Sequence, residues 1–149
     1  MQKTIYDNRA DLNYLLGLTD SVKGRRFALK MKVINPKGMK TVIGMCYGSF
    51  LVHLSLQGDG YAVSHIPTQG RRVHRKPFPT QAEARCFAVL LEKFGGWASA
   101  QDEKLRKNKE FTVNLDRLWR KRDFSGLRVY LRSAGLLEEE GFFGVGGDR

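Results

Sequence analysis

Residues 25 to 35 read RRFALKMKVIN. Phe27, Leu29, Met31 and Val33 recur on every second position, and Arg26, Lys30 and Lys32 lie on positions between them. Side chains of an extended chain point alternately to the two faces of a sheet, so this spacing predicts a strand with one apolar and one cationic, wet face. A half-wet strand belongs in an antiparallel sheet, because parallel sheets are covered on both sides.

The neighbouring stretches extend the pattern. Pro36, Lys37 and Gly38 supply turn chemistry, and KTVIGMCY (40–47) reads as a second, more buried strand. Gly48 and Ser49 allow a bend into FLVHLSLQ (50–57), where Phe50, Val52, Leu54 and Leu56 are expected inward and His53, Ser55 and Gln57 outward. GDG at 58–60 is a hairpin signal, YAVSHI (61–66) returns, and RRVHRK (71–76) makes a short basic final strand.

Helical spacing flanks this meander on both sides. Before it, Leu12, Leu15, Leu16 and Leu18 repeat at helical intervals behind Asp7 or Asn8 as cap, with Lys23 and Gly24 after them. After it, Thr80 and Glu83 have the spacing of a capping box, in which hydroxyl and carboxylate satisfy each other's backbone amides. Ala84, Phe87, Ala88, Leu91 and Phe94 then line one helix face, and Gly95 and Gly96 stop it.

Beyond Trp97 the chain turns polar, as a linker or a solvated helix over 97–110. Two short helical patterns follow, the second capped by Asp123 or Ser125, and the last residues are rich in glycine. The expected fold is therefore α+β: an antiparallel β-meander packed against an amphipathic helix, with a short N-terminal helix and a small helical C-terminal region. The divisions are an α+β domain over 1–96, the polar segment 97–110, a helical region over 111–140 and a flexible tail at 141–149.

Charge points to the function. The 149-residue chain carries a net +11, and the segment from Ser21 to Thr80 holds eleven Lys and Arg against the single acid Asp59. Almost all of the excess charge thus sits in one block, whereas a surface charged only for solubility mixes its signs. A local positive field of this kind predicts a polyanion partner. The expected contact residues are Arg26, Lys30, Lys32, His53, Ser55 and Gln57 on the open face, with Arg71, Arg72, His74, Arg75 and Lys76 of the last strand. These residue types bond phosphates and base edges, and a narrow sheet can enter a major groove.

Residues 50–96 also resemble the Apetala/ethylene-response-factor-type DNA-binding domain that accompanies integrases and homing endonucleases. The likeness is carried by strand, Gly turn, strand, basic strand and then Phe78, Thr80, Glu83 and Ala84 opening a helix that ends in Gly. It implies that the sheet, not the helix, enters the groove, with His53, Ser55, Gln57, Arg71, Arg72, His74 and Arg75 as contacts. The strands at 25–47 lie outside the resemblance.

No catalytic pattern accompanies the charge. His53, His65 and His74 have no partner at metal-ligand spacing, the acids of the sheet region amount to Asp59, and no Gly-rich phosphate loop or Ser–His–acid set is readable. The chain is expected to be no enzyme and to need neither cofactor nor metal. Cys46 and Cys86 are expected to be reduced core residues in a cytoplasmic protein. No secretory leader is readable, and the apolar runs fall short of a membrane span.

The expected activity is sequence-specific binding of double-stranded DNA by a repressor of phage or mobile-element type, as a homodimer. Leu115, Leu118, Trp119, Leu127, Tyr130 and Leu131 are the candidates for the dimer face, or else complete the core. Two alternatives stand beside it: binding of double-stranded RNA, and a basic phage-type inhibitor of an acidic host protein.

Overall fold

The computed structural model describes residues 3–34, 37–55, 58–68, 71–72, 77–95, 97 and 102–137, without the side chains of 3–8, 32–34, 37, 71–72 and 102–107. The element order is α1 (Lys3–Asp20), β1 (Arg25–Ile34), β2 (Lys37–Tyr47), β3 (Phe50–Leu54), β4 (Tyr61–His65), β5 (Arg71–Arg72), α2 (Gln81–Phe94), α3 (Asp102–Arg120) and α4 (Phe124–Ser133). The five strands pair in sequence order, each antiparallel to the next. This is the expected α+β meander, with α1 before it and α2, α3 and α4 after it.

Some boundaries differ from the sequence reading. Helix α1 begins at Lys3, which places Asp7 and Asn8 inside it instead of at its cap. Strand β2 begins at Lys37 because its backbone already pairs there with Ile34. Of the polar segment 97–110, expected as a linker or a solvated helix, residues 102–110 are the start of α3.

Register decides which residues share a face. Arg26 lies opposite Met45, and Met45 opposite Val52, so Arg26 and Lys30 are on the face of Phe50 and Val52. Helix α2 packs on that same face, with Phe50, Val52 and Val63 joining Phe87, Leu90 and Leu91 in the main core. The cations of β1 were expected on the face away from the helix. They escape burial because α2 covers the β3–β4 end of the sheet. Strand β2 pairs with β3 only over Met45–Tyr47, so Lys37–Gly44 is bonded to β1 alone as a two-stranded ribbon.

The other face carries a second apolar cluster of Leu29, Met31, Val42, Cys46 and Leu51, with Phe27 and Ile66 packed against it. Gly44 is needed where β2 comes close to the β3 backbone: a Cβ there would stand 2.2 Å from the carbonyl oxygen of Val52. In the turn into β3, Gly48 has φ 64°, a left-handed conformation that side chains disfavour, and the Ser49 amide donates to Glu92 Oε1 at 2.9 Å.

Helix α2 is central. Cys86, Val89 and Leu90 are buried along with Ala84, Phe87, Ala88 and Leu91, because the sheet covers one side of the helix and other helices cover another. The same core continues through Leu15 of α1, Phe111 and Leu115 of α3, Leu127 and Leu131 of α4, and Leu137. Helices α3 and α4 and Leu137 thus share a core with α1, α2 and the sheet. Arg128 of α4 bonds Asp11 of α1 at 2.6 Å and stacks over the Tyr14 ring at 3.9 Å. Cys46 and Cys86 are free and buried. Among the described residues, no helix is long and apolar enough to cross a membrane.

Candidate nucleic-acid interface

The ribbon's open face is a ladder of cross-strand pairs. Arg26 stands opposite Met45, Ala28 opposite Ile43, Lys30 opposite Thr41 and Lys32 opposite Met39. Arg26, Ala28, Lys30, Met39, Thr41 and Ile43 are exposed; the Lys32 side chain is outside the described ones. Met39, Ile43 and the neighbouring Leu54 are 52%, 54% and 60% exposed, unusually open for large apolar side chains. A groove lined by Lys40, Thr41, Val42, Ile43, Leu54 and Ser55 runs beside them. Arg25 and Lys40 are exposed on the ribbon's other face. Among the described residues, Arg25, Arg26, Lys30 and Lys40 have no side-chain hydrogen bond or ion pair.

The alternation of β1 therefore supplies a cationic surface, but not the one expected across the whole sheet. His53 and Ser55 belong to the opposite face, beside Leu51, and both are buried. His53 Nδ1 lies 2.6 Å from the Leu54 carbonyl oxygen, and its Nε2 lies 2.9 Å from Ser64 Oγ. Ser55 Oγ donates to Asp59 Oδ1 and accepts from the Asp59 amide. These groups spend their hydrogen bonds inside the chain, which corrects their assignment as contacts. The backbones of Arg71 and Arg72 pair with His65 and Ser64. Gln57, His74, Arg75 and Lys76 lie outside the described residues.

The capping box at α2 forms only by half. Thr80 Oγ1 accepts from the Glu83 amide at 3.1 Å, as expected. The Glu83 side chain, only 6% exposed, turns away from the helix start. Its Oε1 accepts from Trp119 Nε1 at 2.8 Å and from Arg122 at 2.7 Å, and its Oε2 accepts from Arg122 at 3.2 Å. Trp119 sits edge-on to Phe78, Phe87 and Phe124. Arg122 has φ 58°, rare for a residue with a side chain, at the turn between α3 and α4. The basic run before α2 thus leads into a helix entrance held by an internal carboxylate–guanidinium pair.

The residues proposed for dimerisation face inward. Leu115, Leu118, Trp119, Leu127 and Leu131 are buried in the chain's own core, and Tyr130 is packed against it. Their apolar area is already used, so they offer no open face to a second copy. Near them, Arg120 bonds Asp116 and Arg117 bonds Asn114, both within α3.

Ala28, Thr41, Ile43, Met39 and Lys40 were not singled out from sequence. The turn expected at 36–38 would set a different register, because Lys37 and Gly38 already pair with Ile34 and Val33, and that pairing is what brings Thr41 and Ile43 opposite Lys30 and Ala28. Among the described residues, no group of three or more His, Cys, Asp or Glu could hold a metal ion. No protein-family model, curated protein or solved structure matches the chain.

Proposed function

We propose that the chain binds double-stranded DNA by laying the β1–β2 ribbon in the major groove, and that it represses by occupying its site. The observation that carries this reading is the ribbon's open face, where Arg26 and Lys30 project among small and apolar neighbours without an internal partner among the described residues. A B-form major groove admits a two-stranded ribbon. The major groove of A-form RNA is too deep and narrow for one, which favours DNA over RNA.

Charge placement supports the same partner. The segment Ser21–Thr80 contains the one acid Asp59, and Ser55 holds it in the β3–β4 connection. The resemblance over residues 50–96 would put His53 and Ser55 on the bases; their burial counts against them, and the proposal assigns the bases to β1 and β2 instead.

Titration of the full chain with a labelled random-sequence duplex tests the reading. With about six phosphate contacts, affinity should fall roughly a thousandfold between 50 and 200 mM salt. The double variant Arg26→Ala, Lys30→Ala should keep its circular dichroism and lose affinity, with a shallower salt slope. A shallow slope in the parent chain, or equal competition by an RNA duplex, would count against DNA. Unchanged binding by the double variant would remove the ribbon from the interface.

A further inference from the structure

Resting on that reading, we infer that the ribbon selects a thymine through its 5-methyl group, at the Ala28–Ile43 rung, between two guanines read by Arg26 and Lys30. The ladder places cation, apolar pair and cation in succession on one open face, because Ala28 lies between Arg26 and Lys30 and directly opposite Ile43. Ala28 and Ile43 are both exposed, Ile43 at 54%, and Thr41 adds a further methyl beside Lys30. Arg and Lys pair with guanine O6 and N7, whereas small apolar groups contact the thymine methyl.

Spacing fixes the pattern. Successive residues on one face of an antiparallel strand are about 6.8 Å apart. Base pairs along a strand are about 3.4 Å apart. Each rung therefore advances about two base pairs, and Arg26 and Lys30 stand about four apart. A ribbon lying along the groove reads guanine, thymine two pairs on, and guanine two pairs further, each on either strand. The apolar pair also explains why Ile43 is left in water by a fold that buries its neighbour Val42 at 8% exposure.

Selection of bound sequences from a random duplex pool by the full chain, followed by replacement of the central thymine with deoxyuridine, tests this. Removing one buried methyl is worth about 0.8 kcal/mol, so affinity should drop roughly fourfold. Ile43→Ala should show a similar loss and little further response to deoxyuridine. Because Ile43 is exposed, this variant should fold like the parent. A selected motif without that thymine, or equal binding of the deoxyuridine duplex, overturns the inference while leaving DNA binding intact. Absence of binding to any duplex overturns the DNA reading itself, and this inference with it.

Discussion

Truncating Glu83 to alanine separates the two parts of the tie at the start of α2. Glu83 is 4% exposed and Trp119 is 3% exposed, so removal leaves the indole N–H buried without its acceptor. An unsatisfied buried donor costs about 1–3 kcal/mol. Breaking a fully buried ion pair costs about 3–5 kcal/mol. That figure does not apply in full, because the Arg122 side chain is 46% exposed and regains water when its partner goes. Its share is closer to the roughly 1 kcal/mol of a surface pair. The sum is about 3 kcal/mol. With a urea m-value of about 2 kcal/mol/M, the unfolding midpoint should fall by about 1.5 M.

Glu83→Gln keeps an acceptor for the indole and loses only charge, so it should cost about 1 kcal/mol. Urea titration followed by tryptophan fluorescence reads both variants, since Trp119 is itself at the site. A Glu83→Ala midpoint within experimental error of the parent would refute the account. Equal loss in the two variants would show that the Trp119 bond contributes nothing.

Gly44→Ala forces a Cβ against the Val52 carbonyl oxygen and should destabilise by about 2–3 kcal/mol, seen as a lower thermal midpoint. Asp123→Ala removes the N-cap of α4, whose carboxylate accepts from the Gly126 amide at 2.9 Å, and should cost about 1 kcal/mol by the same urea titration. Burial pushes the Cys86 thiol up to about 12, so it stays protonated in the native chain. Thiol reagents at pH 8 should label it only after unfolding, which mass spectrometry can follow. The stability that the buried, neutral thiol confers is present below the ordinary thiol range and should be lost as the pH climbs towards 12.

Local chemistry was readable where one short stretch determines it. The alternation of RRFALKMKVIN named β1 and its wet positions, and Thr80 and Gly95 marked the ends of α2. Tertiary closure was not readable. FLVHLSLQ alternates as clearly as β1, yet β3 is buried on both sides from Phe50 to His53, because α2 takes one face and the second apolar cluster the other. A period of two tells which residues share a face and is silent on whether that face meets water. Glu83 failed as the second half of a capping box for a similar reason. Its partners Trp119 and Arg122 lie 36 and 39 residues away, beyond any local motif. The candidate site was legible as a charge block; its focus on the ribbon depends on how far α2 reaches across the sheet.

The bond between Asp11 and Arg128 joins side chains 117 positions apart, between α1 and α4. During vectorial synthesis α1 can meet α2 first, through the Asp20–Arg85 pair, and gains its tie to α4 only once Arg128 has cleared the ribosome. A nonsense codon anywhere upstream of Arg128 yields a product that lacks this clamp on its own first helix.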